Sequence, residues 1–174
     1  MRILCDVDGV LCNFIQGVCD VDGWAQPHHF TKFDMISGLK TQKRVDIVTE
    51  AICQKGFCYN LKPYPDSIAF VEGLRRLGSV TFVTSPFDSS HYWHHERLNW
   101  LKMVYSVKPE DVIFAHSKQK VYIRGDALIE DRADTASESP IDSYLLDRPW
   151  NSGEEGFFLR MQFYNDILEI LGAE

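Results

Sequence analysis

Three short apolar segments each run directly into a polar cluster, and this pattern constrains the fold more than any other feature. Arg2-Ile3-Leu4-Cys5 reads as a short buried strand that stops at Asp6-Val7-Asp8-Gly9. The β-branched run Ser79-Val80-Thr81-Phe82-Val83 stops at the polar turn Thr84-Ser85-Pro86, and Ala127-Leu128-Ile129 stops at Glu130-Asp131-Arg132. Helical stretches separate these runs, so strands alternate with helices. That predicts an α/β fold with a parallel sheet covered on both faces, a Rossmann-like three-layer αβα core. Ligands of open α/β sheets bind beyond the carboxyl ends of the strands. The three clusters, distant in sequence, are therefore expected to meet at one edge of the sheet.

The other elements follow from spacing and punctuation. A helix begins at Phe14. Pro63-Tyr64-Pro65-Asp66 reads as a helix entry, with Asp66 as the cap. Ile68, Phe70, Val71 and Leu74 form the buried stripe and Gly78 the stop. A helix is expected over 90–104, strands over 111–114 and 143–146, and a closing amphipathic helix over 156–171. Residues 20–60 differ, being rich in Gly, His, Pro and aromatics, with one good helix over 42–52 in which Val45, Val48 and Ile52 recur. This stretch reads as a small helical cap. The expected organisation is a catalytic core of residues 1–14 and 62–174, with residues 15–61 inserted.

Composition narrows the partners. The chain has 174 residues, 45% of them hydrophobic, enough for a core without staples. A net charge of -7 argues against nucleic acid as partner. The five cysteines (Cys5, Cys12, Cys19, Cys53 and Cys58) are odd in number and form no C-x-x-C pair, which suits free thiols in a reducing compartment. Asp6 comes too early for a signal peptide, and no apolar run is long enough to span a membrane. A cytoplasmic protein with no membrane partner is expected.

The clusters suggest chemistry. Asp6 and Asp8, two residues apart at a strand end, repel one another, and a bound Mg²⁺ with its preference for oxygen ligands is a natural reason for the pairing. An exposed Asp-Gly turn is the bland alternative. Thr84 and Ser85 offer hydroxyls and backbone N–H groups to phosphate oxygens, although taken alone they read better as an ordinary helix cap. Lys118 or Lys120 could bring an ammonium, and Glu130-Asp131 could complete a metal site. Asp126 precedes its strand and would lie about 16 Å from the carboxyl end, so it is not expected to ligate. His91, His94 and His95 have helical spacing that could face a zinc ion, but they read better as a polar helix face.

Taken in order, these clusters resemble the motifs of the haloacid dehalogenase superfamily: Asp6-Val7-Asp8-Gly9-Val10, Thr84-Ser85, Lys120 and Glu130-Asp131. The wider match, from Asp6 to Phe14, from Gly56-Phe57 to Pro65, Thr84-Ser85-Pro86, Lys120 to Arg132, and Arg160 to Leu171, resembles the 5′(3′)-deoxyribonucleotidase family. The resemblance implies Mg²⁺-dependent hydrolysis of nucleoside monophosphates. It implies that Asp6 attacks phosphorus and that Asp8 serves as acid and then base. Mg²⁺ would be held by Asp6, the Asp8 main-chain carbonyl and Asp131. Thr84, Ser85 and Lys120 would hold phosphate oxygens, and Phe14 and Arg132 would lie near the base or sugar. Glu130 stands where the family usually has aspartate, and it could reach the metal through a water. The partner implied is a small nucleotide, and a homodimer is left open. The rival readings are a related phosphatase acting on other small phosphates and a metal- or nucleotide-binding relative without chemistry.

Overall fold

A computed structural model describes residues 1–173. In chain order the elements are β1 (Arg2–Asp6), α1 (Phe14–Asp22), α2 (Met35–Leu39), α3 (Gln42–Ile52), α4 (Phe57–Asn60), α5 (Ser67–Leu77), β2 (Ser79–Thr84), α6 (Trp93–Tyr105), β3 (Val112–Phe114), α7 (Ser117–Lys120), β4 (Ala127–Glu130), α8 (Ala133–Glu138), β5 (Asp142–Leu146), β6 (Leu159–Met161) and α9 (Tyr164–Ala173). The strands form one parallel sheet in the order β3-β2-β1-β4-β5-β6. This is the expected Rossmann-like α/β architecture.

Alternation along the strands sends side chains to two apolar layers. Ile3, Cys5, Phe82 and Ile129 join Phe70, Leu74, Trp100, Ile167 and Leu171 of α5, α6 and α9. Leu4, Val83 and Leu128 face the other way, against Ile113, Ile123 and Ile141. Each such side chain, taken fully out of water, contributes roughly 1.5–3 kcal/mol before the entropy of ordering it.

Residues 14–60 carry α1 to α4 around a separate apolar cluster of Val18, Cys19, Phe30, Leu39, Val48 and Ile52, closed from the core side by Trp93 and Trp150. Local chemistry explains the boundaries. The Asn13 side chain accepts from Gln16 N at the start of α1, and Gly23 ends it at φ 78°. The Thr41 side chain accepts from Arg44 N at the start of α3. The segment leaves and returns at one point, where Asn13 N donates to Lys62 O and Tyr64 N donates to Leu11 O, each at 2.9 Å.

Three expectations need correction. The segment 156–171 is not one helix: Leu159–Met161 pairs with β5 as an edge strand and the helix starts only at Tyr164. The apolar run there alternates over too few residues to show its period. Asp66 occupies the position before α5 but makes no side-chain cap; its backbone is left-handed at φ 63°. The helix expected from residue 90 begins at Trp93, because Ser90 to Tyr92 form a turn in which Trp93 N donates to Ser90 O.

Candidate active site

The sheet register assembles the site. Leu4 pairs with Leu128 and Cys5 with Ile129, so Asp6 is level with Glu130 on the neighbouring strand, and Asp131 follows. α7 delivers Lys120 from the next crossover. Its Nζ donates to Asp6 Oδ1 at 2.6 Å and to Glu130 Oε2 at 3.0 Å. All four side chains are buried. The other Glu130 oxygen accepts from Asp131 N at 3.3 Å. With both oxygens engaged, Glu130 braces Lys120 and the turn after β4.

Three buried carboxylates against one ammonium is an unbalanced arrangement. Burial, and then the charge on Asp6, push the Glu130 carboxyl well up and raise Asp131 to about 7. Burial works against the Lys120 ammonium, but Asp6 and Glu130 outweigh it and hold its proton more tightly than in water. Asp6, Glu130 and Asp131 can each direct one oxygen to a common point, those oxygens lying within 4.8 Å of one another. Asp131 Oδ1 is buried without a hydrogen-bond partner. An orphaned carboxylate oxygen beside uncompensated negative charge is what a divalent cation would satisfy, so the residues fit such an ion.

Asp131 is held from its other side. Trp150 Nε1 donates to its Oδ2 at 2.8 Å and Asn151 Nδ2 to its carbonyl at 2.7 Å. Gly9, at φ 79°, lies so close that an added Cβ would fall 1.9 Å from Asp131 Oδ2.

Asp8 finds its charged partner outside this group. Its Oδ1 accepts from Arg97 Nη2 at 2.5 Å. Burial raises its pKa, Arg97 pulls it down and Asp6 pushes it up, and the net direction is up. Asp8, Gly9 and Asp131 floor a cavity of about 280 Å³. Phe14, Ile15, Phe33, Met35 and Trp150 wall it, with Lys32 and Asp34 adding charge. Phe14 is fixed edge-on between Phe57 and Trp93, at ring-centroid distances of 6.1 and 6.0 Å.

The remaining expected residues are placed as follows. Ser85 Oγ donates to Ala115 O at 3.2 Å. The Thr84 hydroxyl is sealed from solvent with no partner. Arg132 lies outside that cavity but lines an adjoining one of about 170 Å³ that shares Phe33, Asp131 and Trp150 with it. Its guanidinium grips Asp134 at 2.5 and 2.7 Å and lies 4.6 Å from the Phe33 ring centroid, joining the end of β4 to the segment before α2. Asp126 accepts from Arg2 N at the opposite end of β1. His94 packs on Phe114 and His95 bonds Asn99, and no metal group among the described residues includes a histidine.

Sequence reading missed Arg97, Trp150, Asn151 and the cavity wall of Phe33 and Met35. Arg148-Pro149-Trp150-Asn151 follows β5, so the strand-end rule extended to a fourth strand points to it. Arg97 shares a helical stripe with Trp93 and Trp100, which marks it as buried.

Comparisons with known proteins bear on the fold and the family. The sequence matches the family described as 5′ nucleotidase, deoxy (pyrimidine), cytosolic type C protein over residues 1–173. A search of curated proteins found no match. Among solved structures, a haloacid dehalogenase-like hydrolase from Burkholderia xenovorans LB400 is similar at TM-score 0.62 and 9% identity, over 99% of this chain and 96% of that one. A HAD family hydrolase from Deinococcus radiodurans R1, with bound phosphate and sodium, is similar at TM-score 0.60 and 12% identity, over 98% and 96%. A haloacid dehalogenase-like hydrolase from Streptococcus pneumoniae is similar at TM-score 0.59 and 12% identity, over 97% of each chain. These structures speak to the fold, and the family match speaks to the activity. The chain belongs to the cytosolic type C 5′ nucleotidase, deoxy (pyrimidine), family, on a haloacid dehalogenase-like fold, and is a phosphoric monoester hydrolase of nucleotide type.

Proposed function

We propose that the chain hydrolyses (deoxy)ribonucleoside monophosphates to nucleoside and phosphate with Mg²⁺, through an aspartyl-phosphate on Asp6. The observation that carries the reading is the Asp6 carboxylate, held by Lys120 beside the orphaned Asp131 oxygen. In the first half-reaction an Asp6 oxygen attacks phosphorus. The bond from phosphorus to the nucleoside oxygen breaks, and Asp8 gives that oxygen its proton. In the second, water attacks the aspartyl-phosphate and passes a proton to Asp8, and the bond to Asp6 breaks to release phosphate. Lys120 offsets charge on the phosphoryl oxygens, and Ser85 can turn its hydroxyl toward them. Asp6, Asp131 and the Asp8 carbonyl would hold Mg²⁺, which supplies a positive charge that polarises the phosphoryl group.

A cavity of about 280 Å³ lies near the lower end of ligand-sized pockets and suits one nucleotide better than a polymer. Its aromatic walls suit a base. The net charge of -7 adds to the case against nucleic acid. No helix among the described residues is long and apolar enough to cross a membrane. The family is cytosolic by its description, which favours the same location for this chain.

The test is phosphate release from ribo- and deoxyribonucleoside monophosphates and sugar phosphates, with Mg²⁺ or with EDTA. Mg²⁺-dependent release from nucleotides is expected. Release only from sugar phosphates would discard the substrate class, and release undiminished by EDTA would discard the metal.

A further inference from the structure

Asp8 is the carboxylate whose charged partner comes from outside the strand-end group. α6 sets Trp93, Arg97 and Trp100 on one stripe. The Arg97 guanidinium carbon is 5.0 Å from the Trp93 ring centroid and 5.2 Å from that of Trp100, and the side chain is wholly shielded from solvent. A cation stripped of water in this way needs a counter-charge. Its ion pair is with Asp8, through one Nη2 contact to Oδ1, while Nε and Nη1 are buried without a hydrogen-bond partner. A purely structural pair gains most from two-pronged contact. This one is single-pronged and engages a carboxylate still 26% exposed at the cavity floor.

Arg97 is also held in place independently of Asp8. The adjacent Glu96 accepts from Gly56 N at 2.5 Å and Tyr59 N at 3.2 Å. Trp100 Nε1 donates to Leu61 O at 2.7 Å, and Trp93 Nε1 donates to Ser85 O at 3.2 Å. α6 is therefore pinned to the returning cap segment and to the loop after β2. The guanidinium is a fixed point against which Asp8 is set.

We infer that Arg97 is a positioning residue for proton transfer: it clamps Asp8 Oδ1, so that Oδ2 delivers the proton to the leaving oxygen and later takes one from the attacking water. The inference rests on the reading of Asp8 as acid and base. A group acting through Asp8 has a signature that a brace lacks. A nucleoside alkoxide must be protonated as it departs, whereas p-nitrophenolate leaves without help. Because kcat/KM covers only steps through departure of the leaving group, it isolates the half-reaction in which the two substrates differ.

The experiment compares kcat/KM for a deoxynucleoside monophosphate and for p-nitrophenyl phosphate in the wild-type, Arg97→Met, Arg97→Lys and Asp8→Asn proteins, with thermal unfolding as the fold control. Arg97→Met is expected to lose about 100-fold on the nucleotide, the scale of a general acid's contribution, and less than about tenfold on p-nitrophenyl phosphate. Equal losses on both substrates, or none, would overturn the inference. If Arg97→Met does not fold, Arg97→Lys decides: it keeps the charge on a different geometry, so a selective fall of about tenfold on the nucleotide supports the inference and an equal fall opposes it. Asp8→Asn separates the two readings. A non-selective loss there removes Asp8 as the acid and takes both down. A selective loss in Asp8→Asn without one in Arg97→Met overturns the role of Arg97 alone.

Discussion

The floor and the roof of the cavity are built on different terms. The floor is charged and positioned by sheet register: Asp8 and Asp131 follow β1 and β4, whose Asp6 and Glu130 are level because Leu4 pairs with Leu128. The roof comes from short helices with their own apolar cluster, and it meets the cavity through Phe14, Ile15, Phe33 and Met35. Phe33 is 54% exposed, whereas Asp131 is 2% exposed. Groups that must hold an angle to a reacting phosphorus are placed on strands whose neighbours fix them. Groups that meet a base can sit on elements free to adjust, since stacking tolerates small shifts. The floor should therefore govern the chemical step and the roof should govern substrate fit.

The sharpest way to break this contrast is Asp6→Asn. Turnover should fall by at least about 10⁴-fold with the fold intact, because the substitution removes the attacking group itself. Comparable turnover in a folded variant would move the nucleophile elsewhere.

Gly9→Ala should come next. A Cβ 1.9 Å from Asp131 Oδ2, on backbone at φ 79°, must displace that carboxylate. We expect activity to be largely lost and about 1–3 kcal/mol of stability to go with it, read by thermal unfolding. Unchanged Mg²⁺ affinity in this variant would show that Asp131 is not a ligand.

Mg²⁺ itself should raise the unfolding temperature, since it binds the folded carboxylates and relieves their repulsion. At a hundredfold excess over Kd the gain is about 2.7 kcal/mol. Asp131→Asn should abolish the shift, and a shift that survives would place the ion elsewhere.

On the roof, Phe33→Ala should raise KM several-fold with little change in kcat, as expected for lost binding that is equal in ground and transition states. A fall in kcat without a change in KM would reverse the assignment of roof and floor.

The smallest effect concerns the ion pair that ties α1 to α3. Arg44 Nε donates to Asp22 Oδ1 at 2.6 Å. That bond first, with backbone N–H groups of Ala25 and Trp24 helping, lowers the Asp22 pKa to about 2. A depressed carboxyl stabilises the fold above the ordinary carboxylate range and ceases to as pH falls through the folded value. The stability difference between wild-type and Asp22→Asn proteins should therefore be constant above about pH 5 and disappear toward pH 2. A difference that persists at pH 2 would exclude charge as its origin.

The floor was more legible than the roof, and for the same reason. A β-branched run that ends in acids states both an element and its carboxyl end, so β1, β2 and β4 could be read with their clusters. In the roof, α3 was legible because Thr41 caps it and Val45, Val48 and Ile52 keep one period, while α2 spans five residues and shows none. Arg97 escaped because an arginine in a polar helix reads as solvated, and its burial depends on tryptophans one turn away on either side. β6 escaped because three residues are too few to distinguish strand from helix.

One letter of the first motif carries more than it states. Gly9 would ordinarily be credited with turning the chain after Asp8, which its backbone does require. Yet the volume it leaves vacant is filled by a carboxylate from 122 positions further along the sequence. The glycine is thus a mould for a residue on another strand, and local text at the start of the chain encodes a long-range fit.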